Sequence, residues 1–171
     1  VRDPERSVTR FRGRYLRVDE ASWPGLESYE IVRQPGAAAI VAVTPSDEVL
    51  LVRQFRPPVG DHLLEIPAGL LDVEGEDAST CAVRELREET GHDAEDVTFL
   101  GGVFVSPGSS DHYVHLFAAR ASPEPDGPAE EGIEVVRTPF DELVAAAAGG
   151  RVRDAKTALG VLMAARRLGR A

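Results

Sequence analysis

Cysteine is nearly absent. Cys81 is the only one in 171 residues, so no internal disulfide can form. Near the start of a helical stretch it reads as a small packing residue rather than a nucleophile. Long apolar runs are missing as well. The longest fall far short of the roughly 20 residues that cross a bilayer, and VRDPERSVTR has no signal-peptide character. No membrane partner and a cytoplasmic location are therefore expected. Positive charge is in deficit, with a net charge of −10. Affinity for nucleic-acid backbones comes mainly from Lys and Arg patches, so no nucleic-acid partner is expected. A phosphate-bearing substrate would have to meet a local metal cluster and a few placed arginines. Internal repeats are absent too, and residues 122–128, SPEPDGP, are short enough for a loop rather than a domain linker.

What is present suits one domain with a substantial core, given 43% hydrophobic residues. Ala39–Val43 and Val49–Phe55 are β-rich apolar runs around the turn-like Thr44-Pro45-Ser46-Asp47, which predicts a hairpin. His62–Ile66, Val97–Val105, His112–Ala119 and Ile133–Arg137 are further strand candidates. Phe140–Ala148 and Asp154–Leu168 have helical composition, with Gly149-Gly150 between them. The expected fold class is α/β, in outline an α/β sandwich with a mixed sheet. Residues 1–34 form a separate small β element, with one or two strands in FRGRYLRV and SYEIVRQ; residues 35–171 form the main domain. The extra β layer has two uses, covering a hydrophobic face of its own subunit or pairing with another.

The stretch GLLDVEGEDASTCAVRELREETGH, Gly69 to His92, carries the chemistry. A helix advances about 100° per residue, so Glu85, Glu88 and Glu89 project from one face within about one turn. Ala82, Val83 and Leu86 fall on the neighbouring face and can pack against a core. Three carboxylates this close repel one another, and divalent cations between them relieve the repulsion, since hard ions prefer oxygen ligands. Arg84 and Arg87 offset part of it. Asp77 reads as the N-cap and Gly91 as the left-handed residue after the last turn. An arbitrary Glu/Arg-rich helix is more often a solvated face with weak pairs.

The wider pattern favours the metal reading, because it resembles the Nudix box: Gly, five residues, Glu, seven residues, Arg-Glu, hydrophobic, any, Glu-Glu, any, Gly, hydrophobic. Glu76 through Gly91 fit it. Two departures stand out. Six residues rather than five separate Gly69 from Glu76, and His92 stands where the pattern has an apolar side chain. The added residue lies in a loop, where insertion is cheap, and leaves the spacing of the helical acids untouched.

VRQFRPPVG, LEIPAGLLD, FVSPGSSD and GRVRDAKTALGVLMAARR extend the resemblance to the ADP-ribose pyrophosphatase branch of the Nudix hydrolases, over nearly the whole chain. Pro107, sixteen residues beyond Gly91, stands about where that branch carries a diagnostic proline. The resemblance implies the Nudix α/β/α sandwich with its mixed sheet and Mg²⁺-dependent hydrolysis of a small-molecule nucleoside diphosphate sugar by a homodimer, with Mn²⁺ as an alternative metal. ADP-ribose, split to AMP and ribose 5-phosphate, is the first choice; ADP-glucose and GDP-mannose would use the same chemistry. It assigns Glu85 and Glu89 as principal metal ligands, with Glu88 and the Ala68 carbonyl completing the site, and gives Glu76 and Arg84 a supporting role. Arg56 matches a family arginine on the pyrophosphate. Arg14 and Glu30 match residues that reach the adenine site of the other subunit. Pro107-Gly108 borders the substrate, and His112 falls where relatives carry a glutamate near the terminal sugar. The catalytic base corresponds to Glu131, ahead of Glu130, with Glu88 as the fallback. A noncatalytic nucleotide-sugar sensor is the rival from another class, disfavoured by the intact acidic helix. His62, His92 and His115 lack metal-ligand spacing and read as structural or surface groups.

Overall fold

The strand Ala37–Val43 is apolar along its length and buried on both faces, which is what a central strand covered by helices on both sides requires. In the computed structural model, which describes residues 3–170, this strand (β4) is the middle of a seven-stranded mixed sheet. Residues 1, 2 and 171, the outer ends of the two segments expected from the sequence, lie outside the described residues. The sheet runs β10-β5-β4-β9-β8, with β5 Glu48–Arg56, β8 Ala94–Phe104, β9 Tyr113–Ala121 and β10 Glu134–Pro139. Two short strands attach to it, β6 Asp61–Glu65 on β5 and β7 Ala68–Leu70 on β4. The β4–β9 pair is parallel and the other ladders are antiparallel. The hairpin at residues 44–47 forms as its composition predicts. The Thr44 N–H donates to Glu48 O at 2.8 Å, and Asp47 takes the left-handed conformation, φ 61°.

Alternation along β4 and β5 divides the core in two. Ala39, Val41, Val49 and Leu51 pack against Phe140 and Leu143 of α2 (Phe140–Ala148) and Val161, Ala164 and Ala165 of α3 (Ala155–Arg167). Ala38, Ile40, Ala42 and Leu50 face Cys81, Ala82 and Leu86 of α1 (Ala78–Thr90). The result is the expected α/β/α sandwich. Each large apolar side chain sealed in it, such as Ile40, Leu50 or Leu86, contributes about 1.5–3 kcal/mol. Among the described residues, no helix is long and apolar enough to cross a membrane.

The N-terminal stretch differs from expectation. FRGRYLRV is not one strand; it breaks at Gly13, whose N–H donates to Leu16 O at 2.8 Å, into the turn of a hairpin. Three antiparallel strands result, β1 Arg6–Arg12, β2 Arg17–Ser22 and β3 Tyr29–Arg33, in a sheet of their own. It meets the main domain through β3: Val32 N donates to Ser109 O at 2.8 Å and Arg33 Nη1 to Asp111 Oδ2 at 2.9 Å.

Candidate active site

Both ends of α1 are where the sequence places them. Asp77 caps the first turn, its carboxylate accepting from Thr80 N at 2.8 Å, and Gly91 ends the helix at φ 74°. The side of α1 nearest β7 carries one buried acid and one half-buried one. Glu89 is 5% exposed, and its Oε2 accepts from Ala68 N at 3.0 Å. Glu85 lies against Gly69, where a Cβ would overlap its carboxyl group. A side chain at position 69 would therefore displace the Glu85 carboxyl from this place. Burial pushes the Glu89 carboxyl up to about 7, with the neighbouring Glu85 charge adding to the rise. Burial also raises Glu85, against the pull of Arg84. Two acids whose ionisation is disfavoured in the absence of a cation suit a divalent metal with oxygen ligands.

The third acid is disposed differently. Glu88 is half exposed and turned to Arg84, whose Nη1 donates to Glu88 Oε2 at 2.9 Å and to Glu85 Oε1 at 2.6 Å. The other edge of Arg84 holds Glu76, at 2.8 and 3.0 Å, and so ties the loop before α1 to the helix. The pairing keeps Glu76 below the usual carboxylate range. Among the described residues no three His, Cys, Asp or Glu side chains converge as a cation site, because Arg84 draws Glu88 and part of Glu85 away.

A basic pair faces these acids. Arg56, at the end of β5, is clamped by Glu65 of β6, its Nε and Nη2 donating to the two carboxylate oxygens at 2.7 and 2.9 Å. Lys156, the only lysine of the chain, pairs with Glu65 and with Asp154, the N-cap of α3. Burial alone would raise Glu65; Arg56 and Lys156 hold it below its ordinary value. Both cations are close enough to favour ionisation of Glu89. The Glu65–Lys156–Asp154 network escapes the sequence reading, although a glutamate inside the apolar run LLEIP is itself a signal, since a charge buried in a strand needs partners.

Glu130 and Glu131 are exposed on the loop between β9 and β10. That loop is docked on the C-terminal turn of α1: Glu130 N donates to Glu88 O at 2.9 Å and Asp126 N to Gly91 O at 2.8 Å. A Cβ on Gly91 would overlap the Gly127 carbonyl, so this glycine serves both the helix end and the loop.

The remaining candidates lie in the N-terminal sheet and the loop beside it. Arg14 is in the β1–β2 turn, its guanidinium 4.9 Å from the Tyr15 ring centre. Glu30 is exposed on β3 opposite Glu20. Gly108 lines an aromatic cleft of about 630 Å³ with Trp23, Leu26, Tyr29 and Phe104. His112 Nδ1 is 2.9 Å from Pro35 O; a carbonyl only accepts, so Nδ1 carries the proton. Among the described residues, no hydrogen bond or ion pair joins these four to Glu85 or Glu89. Of the histidines read as structural, His62 packs on Phe55, His115 on Tyr113, and His92 is buried.

The chain is similar to known proteins in sequence and in fold. A model of the NUDIX domain matches residues 33–159. A methanol dehydrogenase activator from Bacillus methanolicus is 35% identical over 159 residues, covering 88% of this chain and 85% of that protein. An ADP-ribose pyrophosphatase from Bacillus subtilis (strain 168) is 37% identical over 77% of this chain and 73% of its own. A GDP-mannose pyrophosphatase from Yersinia enterocolitica is 38% identical, over 73% and 70%. The crystal structure of an ADP compounds hydrolase superposes with a TM-score of 0.79 over 99% of this chain and 96% of its own at 24% identity, a likeness of fold. The domain match spans the acidic helix, the glycine that seats Glu85 and the arginine opposite, and the chain belongs to the Nudix hydrolase family.

Proposed function

We propose that this protein hydrolyses the pyrophosphate bond of a nucleoside diphosphate sugar, ADP-ribose first, giving AMP and ribose 5-phosphate. Nudix hydrolases generally need divalent metal ions, and Mg²⁺ is the ion proposed here, with Mn²⁺ accepted by the same oxygens. The observation that carries the reading is the buried Glu89, held on Ala68 N, beside the half-buried Glu85 seated on Gly69, with Arg56 and Lys156 opposite. Glu85 and Glu89 would hold the ion with the Ala68 carbonyl, and Glu88 would join on release from Arg84. When bound, the ion neutralises charge on the pyrophosphate oxygens and lowers the pKa of a bound water.

The chain's own residues supply orientation and proton transfer. Glu65 occupies the Nε and Nη2 atoms of Arg56, which fixes the guanidinium plane and leaves Nη1 to donate to a phosphate oxygen. Glu131 is the proposed proton acceptor for the attacking water, ahead of Glu130, with Glu88 next. Docking of their loop on α1 supports placing the proton acceptor on that loop, since Glu130 N is held on Glu88 O beside the acidic helix. GDP-mannose is the second substrate candidate, on the likeness to a GDP-mannose pyrophosphatase. The chain is proposed to work in the cytoplasm as a homodimer, Arg14 and Glu30 of the N-terminal sheet contributing to a shared base site and Gly108 and His112 to the sugar side. Exposed Phe11, Tyr15, Leu26 and Tyr29 on that sheet support an interface there.

Calorimetric titration with Mg²⁺ tests the metal site. Binding to the parent protein and its loss in Glu85→Gln are expected; equal affinity in both would refute the assignment. Light scattering tests the dimer, and a species of only 18.4 kDa at working concentration would rule out a shared site.

A further inference from the structure

The residue that breaks the family pattern, His92, is not on the surface. It is 2% exposed and sits between the two ends of the acidic loop. Nδ1 is 2.9 Å from the carbonyl oxygen of Ser122, where the loop begins, and so donates to it. In the neutral ring Nε2 is then an acceptor, and Arg137 Nη2, just past the loop's far end on β10, lies 3.4 Å away and donates. An apolar side chain at this position could pack but could make neither bond. The first end is secured further by Ser122 N to Asp93 O at 2.9 Å and Asp93 N to Ser122 Oγ at 3.2 Å. Between these ends, Asp126 N and Glu130 N are held on the carbonyls of Gly91 and Glu88. One imidazole thus ties the entry and the exit of a loop whose middle lies on the last turn of α1.

We propose that His92 is a positioning residue that pins the loop of residues 122–133 on α1 and so fixes Glu130 and Glu131 relative to the metal-binding acids. The inference rests on the hydrolase reading given above, but the pinning itself is measurable without turnover. Three variants serve the test. His92→Leu installs an apolar residue of the kind the family pattern has at this position, His92→Asn keeps an N–H donor in the place of Nδ1, and Arg137→Leu cuts the exit tie from an exposed position.

Amide hydrogen exchange at Asp126 and Glu130 is read together with kcat and KM for the hydrolysed nucleotide sugar. His92→Leu is expected to accelerate exchange at both amides on the order of tenfold, the effect of losing a buried hydrogen bond, and to lower kcat by a similar factor with KM little changed. His92→Asn is expected to recover most of both, and Arg137→Leu to show a smaller change in the same direction. Unchanged exchange in His92→Leu would overturn the pinning, whatever turnover does. Faster exchange with unchanged kcat would overturn the positioning role. Absence of any hydrolysis by the parent protein would count against the hydrolase reading alone, since the exchange result stands apart from it.

Discussion

Replacing Glu89 by glutamine has opposite effects on stability and activity, and the structure sets the size of the first. Burial raises the Glu89 carboxyl from the ordinary 4.5 to about 7. The folded protein therefore holds a proton that the unfolded chain gives up as pH rises between those values. Stability from this group is fully present below about pH 4.5, falls as pH rises through 7 and is level above, a loss of roughly 3 kcal/mol in the metal-free protein. A glutamine side chain in its place cannot ionise, while its carbonyl oxygen can still accept from Ala68 N. In chelator at pH 8, Glu89→Gln is expected to be more stable than the parent by up to roughly 3 kcal/mol, and at pH 4.5 about equal. Mg²⁺ should then stabilise the parent and leave the variant unmoved, and the variant's turnover should be largely lost. Denaturant unfolding at the two pH values, with and without Mg²⁺, measures the stability changes, and a turnover assay the rest. A variant no more stable than the parent at pH 8, or one with the same pH dependence, would refute the reasoning.

Gly69→Ala drives a Cβ into the place of the Glu85 carboxyl, which must swing aside; weaker Mg²⁺ binding with little loss of stability is expected by calorimetry, and unaltered metal affinity would contradict the packing argument. Glu65→Gln removes the charge that holds Arg56 and Lys156. A cost of roughly 2–4 kcal/mol is expected in denaturant unfolding, below the full buried-pair value because Arg56 is 37% exposed, together with a KM rise larger than the fall in kcat. The Cys81 thiol, buried and pushed up to about 12, should resist a disulfide reagent at pH 8 in the native state and react only on unfolding; prompt reaction of the folded protein would contradict its burial.

How much of this was legible in the sequence depends on range. Asp77, Gly91 and the 44–47 turn are local chemistry, and each is where composition places it. Helical spacing correctly puts Glu85, Glu88 and Glu89 on neighbouring positions. It does not say which of them the sheet covers; β7 buries Glu89, partly covers Glu85 and leaves Glu88 to Arg84. The stretch around Gly13 misled because its strand-forming residues continue through a turn, so two strands of the N-terminal sheet read as one. Glu65 and Lys156 are 91 residues apart, and no spacing rule connects residues brought together only by the packing of α3 on the sheet. His92 was visible as a departure from pattern, but its partners Ser122 and Arg137 come from other parts of the chain.

The measurement closest to the central claim is product release from ADP-ribose, ADP-glucose, GDP-mannose, NADH and diadenosine polyphosphates, with Mg²⁺ and with chelator. Preferential cleavage of ADP-ribose to AMP and ribose 5-phosphate, abolished by chelator, is the expected result. Cleavage unaffected by chelator, or no cleavage of any nucleoside diphosphate sugar, would contradict the account.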